Sequence, residues 1–158
     1  MKVTEVGIVE AEIYSDNTAM SWLVGALAAA GLVLSTSFTA AFYRPSSRLA
    51  RLVPVEWCGL GEGAGGCASV VQTPGARVFG PPNSLLGMVF YIALLVFAGF
   101  GLPPILMPWY VAAAWVTVAF GAYLGYRLLY VERMKCTVCW TVHAINTVLA
   151  ILLTAVSA

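Results

Sequence analysis

The stretch KCTVCWTVHAINTVLAILLTAVSA, Lys135 to Ala158, decides the fold because it joins a Cys-x-x-Cys pair to a long apolar run. From Cys136 onward it contains no charged residue. A membrane-spanning helix needs about 20 mostly apolar residues, and this run is long enough. The pattern therefore places Cys136 and Cys139 at the mouth of a helix that crosses a bilayer.

The composition extends this conclusion to the whole chain. Of the 158 residues, 61% are hydrophobic and 9% are charged, whereas a soluble domain carries about a quarter charged residues. So few charges cannot cover a water-facing surface, which indicates an integral membrane protein embedded in a lipid bilayer. The net charge of +1 comes without any basic stripe, and we predict no nucleic-acid partner.

Three further apolar stretches qualify as spans, and prolines punctuate the links between them. We predict an all-α integral membrane protein, a four-transmembrane-helix bundle with a long cysteine-containing loop between helices 1 and 2. The predicted spans are residues 19–43, 84–101, 109–130 and 136–158. An acidic N-terminal tail, residues 1–18, precedes the membrane domain 19–158 and is expected to be loosely ordered. The first span is too long for the core of a cleaved signal peptide, and acidic residues precede it.

All four cysteines fall on one face of this topology. Four spans put the link 44–83 and the link 131–135 on the same side of the membrane, so Cys58, Cys67, Cys136 and Cys139 can meet. Unsatisfied N–H groups and the helix dipole stabilise a thiolate in the first turn of a helix, and the thiolate is the reactive form of cysteine. The alternative for Cys136 and Cys139 is a packing role without redox chemistry, as two small buried apolar side chains.

The loop pair, Cys58 and Cys67, flanks GLGEGAGG, which contains five glycines in eight residues. This spacing suits either a structural disulfide or a flexible shuttle, since thiol–disulfide exchange requires the sulfurs to meet. Zinc is a competing use of four cysteines, but structural zinc sites space paired ligands by two to four residues, and we predict no metal. His143 lies four residues after Cys139 on one helix face. It suits an interhelical hydrogen bond, a donor to a ligand carbonyl or a proton relay. Asn83 suits a second donor or a helix cap.

These residues resemble the vitamin K epoxide reductase family, including bacterial and archaeal homologues functionally similar to DsbB. The resemblance rests on the loop cysteines followed by ASVVQT, on ARVFGPPNSLLGMVFY, and on the final Cys-x-x-Cys, in that order on four spans. It implies a four-helix bundle around a quinone of the menaquinone or ubiquinone type. It further implies that Cys139 faces the quinone, that Cys136 exchanges with Cys67, and that Cys58 meets the partner protein. The quinone-binding candidates are Thr73, Asn83, Phe90, Tyr91 and His143, and His143 stands where animal enzymes have a tyrosine.

The implied activity is that of a quinone-dependent thiol-disulfide oxidoreductase, a membrane thiol oxidase that generates protein disulfides. No thioredoxin-like segment occurs in the chain, so we expect a separate thioredoxin-like, DsbA-like or PDI-like partner. Reduction of a quinone or quinone epoxide as the main purpose remains an alternative. A small membrane scaffold held by structural disulfides or zinc is an alternative of another class.

Charge asymmetry bears on the orientation. Seven of the eight Lys and Arg residues fall on the predicted cysteine face, and only Lys2 falls on the other. The positive-inside rule then puts the cysteines in the cytoplasm, whereas most members of the family face them outward. We favour the inverted orientation, with the extracellular one as the alternative, because intracellular disulfides do occur in hyperthermophiles.

Overall fold

A computed structural model of the protein describes residues 3–52, 67–77, 79–100, 104–134 and 136–157. These residues form five α-helices: α1 (Val3–Tyr43), α2 (Cys67–Gln72), α3 (Asn83–Phe100), α4 (Met107–Tyr126) and α5 (Thr137–Ser157). A π-helical turn, Arg127–Val131, continues α4 towards α5. Short 3-10 turns cover Leu49–Arg51, Pro74–Ala76 and Pro104–Leu106.

The predicted membrane helices are confirmed. Four segments are long and apolar enough to cross a bilayer: Ala19–Tyr43, Asn83–Phe100, Met107–Val131 and Thr137–Ser157. Their ends lie within about two residues of the predicted ones because prolines and glycines mark them in the sequence. The acidic segment differs from expectation, since α1 begins at Val3 and residues 3–18 continue the first span as helix.

The spans pack as a bundle in which α1 lies against both α3 and α5, and α4 lies against α5. Small residues permit the closest approaches, as is usual between membrane helices. The ring of Tyr91 on α3 fills the place that a side chain at Gly31 of α1 would occupy. In the same way the imidazole of His143 on α5 lies against Gly121 of α4.

Two clusters of buried residues hold the bundle together. One lies in the middle of the membrane part and is built around Tyr91, Leu94 and Leu149. The other lies at the cysteine end and joins α2 to the start of α5, through Val70, Val71 and Cys136 among others. The second cluster fixes the position of the short helix α2, because a six-residue helix is not stable on its own.

Helices α3 and α4 meet through aromatic rings rather than along their backbones. Phe97 of α3 and Tyr110 of α4 have ring centroids 5.7 Å apart, and Phe79, four residues before α3, stacks on Phe120 of α4 with centroids 5.8 Å apart. Phe79 and Phe120 line a cavity, and this cavity is where the predicted site residues converge.

Candidate functional site

The cysteine pair of α5 is closed as a disulfide. Cys136 is the last residue before the helix and Cys139 lies in its first turn, with their Cα atoms 5.3 Å apart. The backbone N–H of Cys139 donates a hydrogen bond to Sγ of Cys136 at 3.2 Å. An N–H group of the first helical turn therefore points at this sulfur.

The link between α4 and α5 sets this geometry. The π-helical turn ends with a hydrogen bond from the N–H of Met134 to the carbonyl of Leu128, at 3.0 Å. Between them Arg133 has a φ of 52°, a left-handed conformation that few non-glycine residues adopt. The chain reverses here within a few residues, which brings Cys136 directly onto the end of the bundle.

The two cysteines of the disulfide differ in their contact with the cavity. Cys136 is 1% exposed and belongs to the buried cluster that contains Val70 and Val71 of α2. Cys139 packs against the same cluster, but it also lines the cavity, and Cys136 does not. Helix α2 begins at Cys67, three residues before Val70, which packs in the same cluster as Cys136. Cys58 and the side chain of Cys67 lie outside the described part of the structure, and their roles stay predictions.

The cavity has a volume of about 400 Å³ and is lined by all four spans together with residues of the segment 70–76, Phe79 and Pro82. Its walls are mostly apolar. Every predicted candidate on the described side chains except Cys136 lines it: Thr73, Asn83, Phe90, Tyr91, Cys139 and His143. The structure thus brings together residues that lie up to 70 positions apart in the sequence, while their roles as quinone ligands stay predictions.

Polar groups line the end of the cavity near the disulfide. The Asn83 amide Nδ2 donates to the carbonyl of Gly75 at 3.0 Å, which ties α3 to the turn before it. Thr73 donates its hydroxyl to the carbonyl of Val70 at 2.9 Å. Arg127 and Glu132 form an ion pair at 3.6 Å beside Gly75, and both line the cavity.

A second polar group lies deeper in the bundle. The Tyr91 hydroxyl donates to Oδ1 of Asn146 at 2.6 Å, and both residues line the cavity. His143 lies one helical turn before Asn146 on α5. Its Nδ1 atom is fully buried and has no hydrogen-bond partner among the described residues, so this nitrogen makes no interhelical hydrogen bond with them.

The cavity also reaches the outer surface of the bundle between α3 and α4. Leu86 and Val116 both line it, yet they are 45% and 66% exposed on the face that the membrane would cover. An apolar molecule dissolved in the bilayer could therefore enter from the side without crossing water.

Sequence reasoning missed several residues of this site. Asn146 had a usable signal, since it lies three residues after His143 and seven after Cys139 on one helix face. Gly121 and the pair Arg127–Glu132 had none, because only the packing of α4 shows what they face. Among the described residues, no three His, Cys, Asp or Glu side chains are grouped as metal ligands would be.

Comparison with known proteins agrees with this architecture. Searches of curated proteins and of solved structures find no match to the chain. The model of the vitamin K epoxide reductase family matches residues 22–154, from the first span to near the end of the fourth. With the four spans, the cavity and the Cys-x-x-Cys disulfide inside the matched region, the chain belongs to the vitamin K epoxide reductase family.

Proposed function

We propose that the protein is a membrane thiol oxidase that generates disulfides in a thioredoxin-like partner protein. Electrons would pass from the partner to Cys58 and Cys67, then to Cys136 and Cys139, and finally to a menaquinone- or ubiquinone-type quinone. One observation carries the proposal: Cys139 opens onto the membrane cavity, while Cys136 is buried on the side of α2, the helix that begins at Cys67.

Family membership supports the general class of activity. The protein is an oxidoreductase of the membrane, in a family whose chemistry links quinones and thiols. The direction of electron flow, the kind of quinone and the thioredoxin-like partner are our proposal.

The cavity suits a quinone head group. Ligand pockets usually have volumes of about 300–1,000 Å³ and apolar walls with a few polar groups, and this cavity has both properties. A quinone ring is flat and apolar, with carbonyl oxygens at opposite edges. Asn83 lies near the disulfide end, and His143 and Asn146 lie deeper. Polar groups thus occur at both ends, as two opposed carbonyls require.

A bound quinone would accept two electrons and two protons and leave as quinol. The residues around it have separate tasks. Cys139 would supply the thiolate that faces the ring, and Phe90 would pack against the ring. Asn83 and His143 would bind the carbonyl oxygens, where hydrogen-bond donors stabilise developing negative charge. The Tyr91 hydroxyl would not donate to the quinone, because it already donates its hydrogen bond to Asn146.

The exchange with the loop would take place at Cys136. Thiol–disulfide exchange requires direct contact between the attacking and the attacked sulfur. Val70 and Val71 of α2 pack in the same buried cluster as Cys136, and we propose that Cys67, at the start of this helix, attacks this sulfur. Attack of the Cys67 thiolate on Cys136 would form a Cys67–Cys136 disulfide and release Cys139 as the thiolate that faces the cavity.

The first test follows quinone and thiols together. We expect reduced protein in detergent, mixed with one equivalent of quinone without oxygen, to consume the quinone and to lose two thiols for each quinone reduced. The reason is that the dithiol becomes a disulfide as the quinone becomes a quinol. Absorbance measures the quinone, and a thiol reagent counts the sulfhydryl groups. Persisting thiols with untouched quinone would support the membrane scaffold instead.

The same preparation distinguishes thiol oxidation from quinone reduction as the main purpose. A thiol oxidase should oxidise a reduced thioredoxin-like protein catalytically when quinone is present in excess. An enzyme that serves mainly to reduce a quinone epoxide should convert the epoxide with the same thiol donor at a comparable or higher rate. Turnover of the epoxide alone would overturn the proposed purpose.

The orientation can be tested by labelling intact cells. We infer from the positive-inside rule that the cysteine face, with the exposed Arg44, Arg48, Arg51 and Arg133, lies in the cytoplasm. A membrane-impermeant thiol reagent added to intact cells with reduced protein should therefore leave Cys58 unlabelled, and permeabilised cells should show labelling. Rapid labelling of Cys58 from outside would place the face on the exterior.

A further inference from the structure

We propose that His143 carries its proton on Nε2 in a fixed tautomer and serves as a hydrogen-bond donor to a carbonyl oxygen in the cavity. It does not relay protons. The identity of the ligand as a quinone rests on the proposed function, whereas the tautomer rests on the packing of the histidine alone. The inference chooses between the donor and the proton relay, which the sequence left open for this side chain.

The first observation is the burial of one ring nitrogen. Nδ1 of His143 is fully buried and has no hydrogen-bond partner among the described residues. A neutral imidazole has one N–H donor and one bare nitrogen that can only accept. Buried N–H groups without an acceptor are rarer in proteins than acceptors without a donor. This difference favours the bare nitrogen at the Nδ1 position.

The second observation is what Nδ1 faces. A Cβ atom built on Gly121 would lie 2.6 Å from Nδ1 and 3.2 Å from the adjacent ring carbons. In glycine a hydrogen atom takes this direction, so a Cα–H group of α4 points at Nδ1. A lone pair accepts such a C–H group weakly, whereas an N–H group would push two hydrogens together. The glycine thus selects the tautomer with the proton on Nε2.

The remaining nitrogen is available to a ligand. His143 lines the cavity. Of its two ring nitrogens, only Nδ1 is both buried and without a hydrogen-bond partner among the described residues. Nε2 is then the nitrogen that can meet a molecule in the cavity, and in this tautomer it offers an N–H donor. A quinone carbonyl is an acceptor of that kind.

The same packing argues against a proton relay. A histidine relays a proton when one nitrogen receives it and the other releases it. Here Nδ1 has no hydrogen-bond partner among the described residues with which to exchange a proton, and the ring of Trp140 lies perpendicular to the imidazole with centroids 6.3 Å apart. The imidazole can therefore orient a carbonyl, but it cannot connect the cavity with water.

Because His143 is the only histidine in the chain, nuclear magnetic resonance can read this tautomer directly. Protein labelled with ¹⁵N-histidine, in detergent and without quinone, should give one imidazole, with a protonated Nε2 and a bare Nδ1. This readout needs neither quinone nor activity. A protonated Nδ1, or rapid averaging between the two nitrogens, would overturn the inference even if the quinone chemistry held.

Addition of quinone then tests the contact separately. The Nε2 resonance should shift as quinone binds, while Nδ1 stays bare. An unchanged Nε2 resonance with bound quinone would refute the donor role, and an absence of quinone binding would refute the proposed function while leaving the tautomer intact.

Substitutions provide an independent comparison of the two nitrogens. The amide nitrogen of glutamine can take the place of Nε2, and that of asparagine the place of Nδ1. We expect His143→Gln to keep quinone affinity within about threefold and His143→Asn to lose about tenfold, the value of one hydrogen bond. Affinity is measured by quinone titration. Equal losses in both variants would contradict a donor at Nε2. Gly99→Ala, with open space around the new Cβ, is the control.

Discussion

Replacing Cys139 by alanine is expected to reduce the rate of quinone reduction by about 10³-fold or more, as loss of a reacting group generally does. The sulfur of Cys139 lines the membrane cavity, and the buried Cys136 does not. Without Cys139, none of the cysteine side chains that the structure describes lines the cavity. The substitution removes one atom from a half-buried position, so the fold should persist.

The variants Cys139→Ala and Cys136→Ala should differ in the disulfide that accumulates. In Cys139→Ala, the Cys136 thiolate can still attack Cys67 in the Cys58–Cys67 disulfide, which releases the Cys58 thiol and forms a Cys67–Cys136 disulfide. Because Cys139 can no longer resolve this product, it should accumulate. In Cys136→Ala this species cannot form. Mass spectrometry of non-reduced peptides distinguishes the two variants.

Thr141→Ala is the matched control for both cysteine variants. It removes a hydroxyl that bonds only to the backbone, on the exposed side of the same helix. This variant should reduce quinone like the unmodified protein. Quinone reduction at the unmodified rate in Cys139→Ala would mean that electrons leave by another route, and the proposed mechanism would be wrong.

Replacing Gly31 by alanine is expected to destabilise the bundle by about 1–3 kcal/mol, the usual cost of overpacking a tight core. The Tyr91 ring occupies the position of the new methyl group, and this tyrosine is 1% exposed. Either the helices α1 and α3 separate or the ring moves. Movement of the ring would also break its hydrogen bond to Asn146 and disturb the deep end of the cavity.

The same change at Gly25 is the matched control. This glycine lies on the same helix, six residues earlier, and a Cβ there would meet Ala98 at an ordinary 3.5 Å. Alanine at Gly25 should leave stability unchanged or raise it by up to about 1 kcal/mol, because alanine favours helix. Denaturant titration of the purified proteins compares the two. Equal stability of both variants would show that Tyr91 has room to adjust.

The positions of the four spans could be predicted from the sequence because a bilayer imposes a simple rule on it. Without water in the hydrocarbon region, backbone groups must pair within a helix and side chains must be apolar over about 20 residues. Residues 136–158 obey this rule by composition alone. The Cys-x-x-Cys at the mouth of that span, and the motif from Phe79 to Tyr91, were equally visible because they are local.

The direction that a side chain faces within the bundle could not be predicted in the same way. In lipid, all sides of a helix are apolar, so hydrophobicity does not mark the interior face. Gly31 and Gly121 look alike in the sequence, yet one admits a tyrosine ring and the other seals a histidine nitrogen. The pair Arg127 and Glu132 likewise lines the cavity only because the π-helical turn directs it there.

The sequence by itself therefore determined that this chain crosses the membrane four times and carries a redox-capable dithiol at one end of the last span. Only the tertiary structure decided that Cys139 faces the cavity while Cys136 faces α2, and that Tyr91 fixes Asn146. The physical reason is that membrane insertion depends on the composition of each segment alone. The assignment of sulfurs, amides and ring nitrogens depends on how closely particular small residues let neighbouring helices approach.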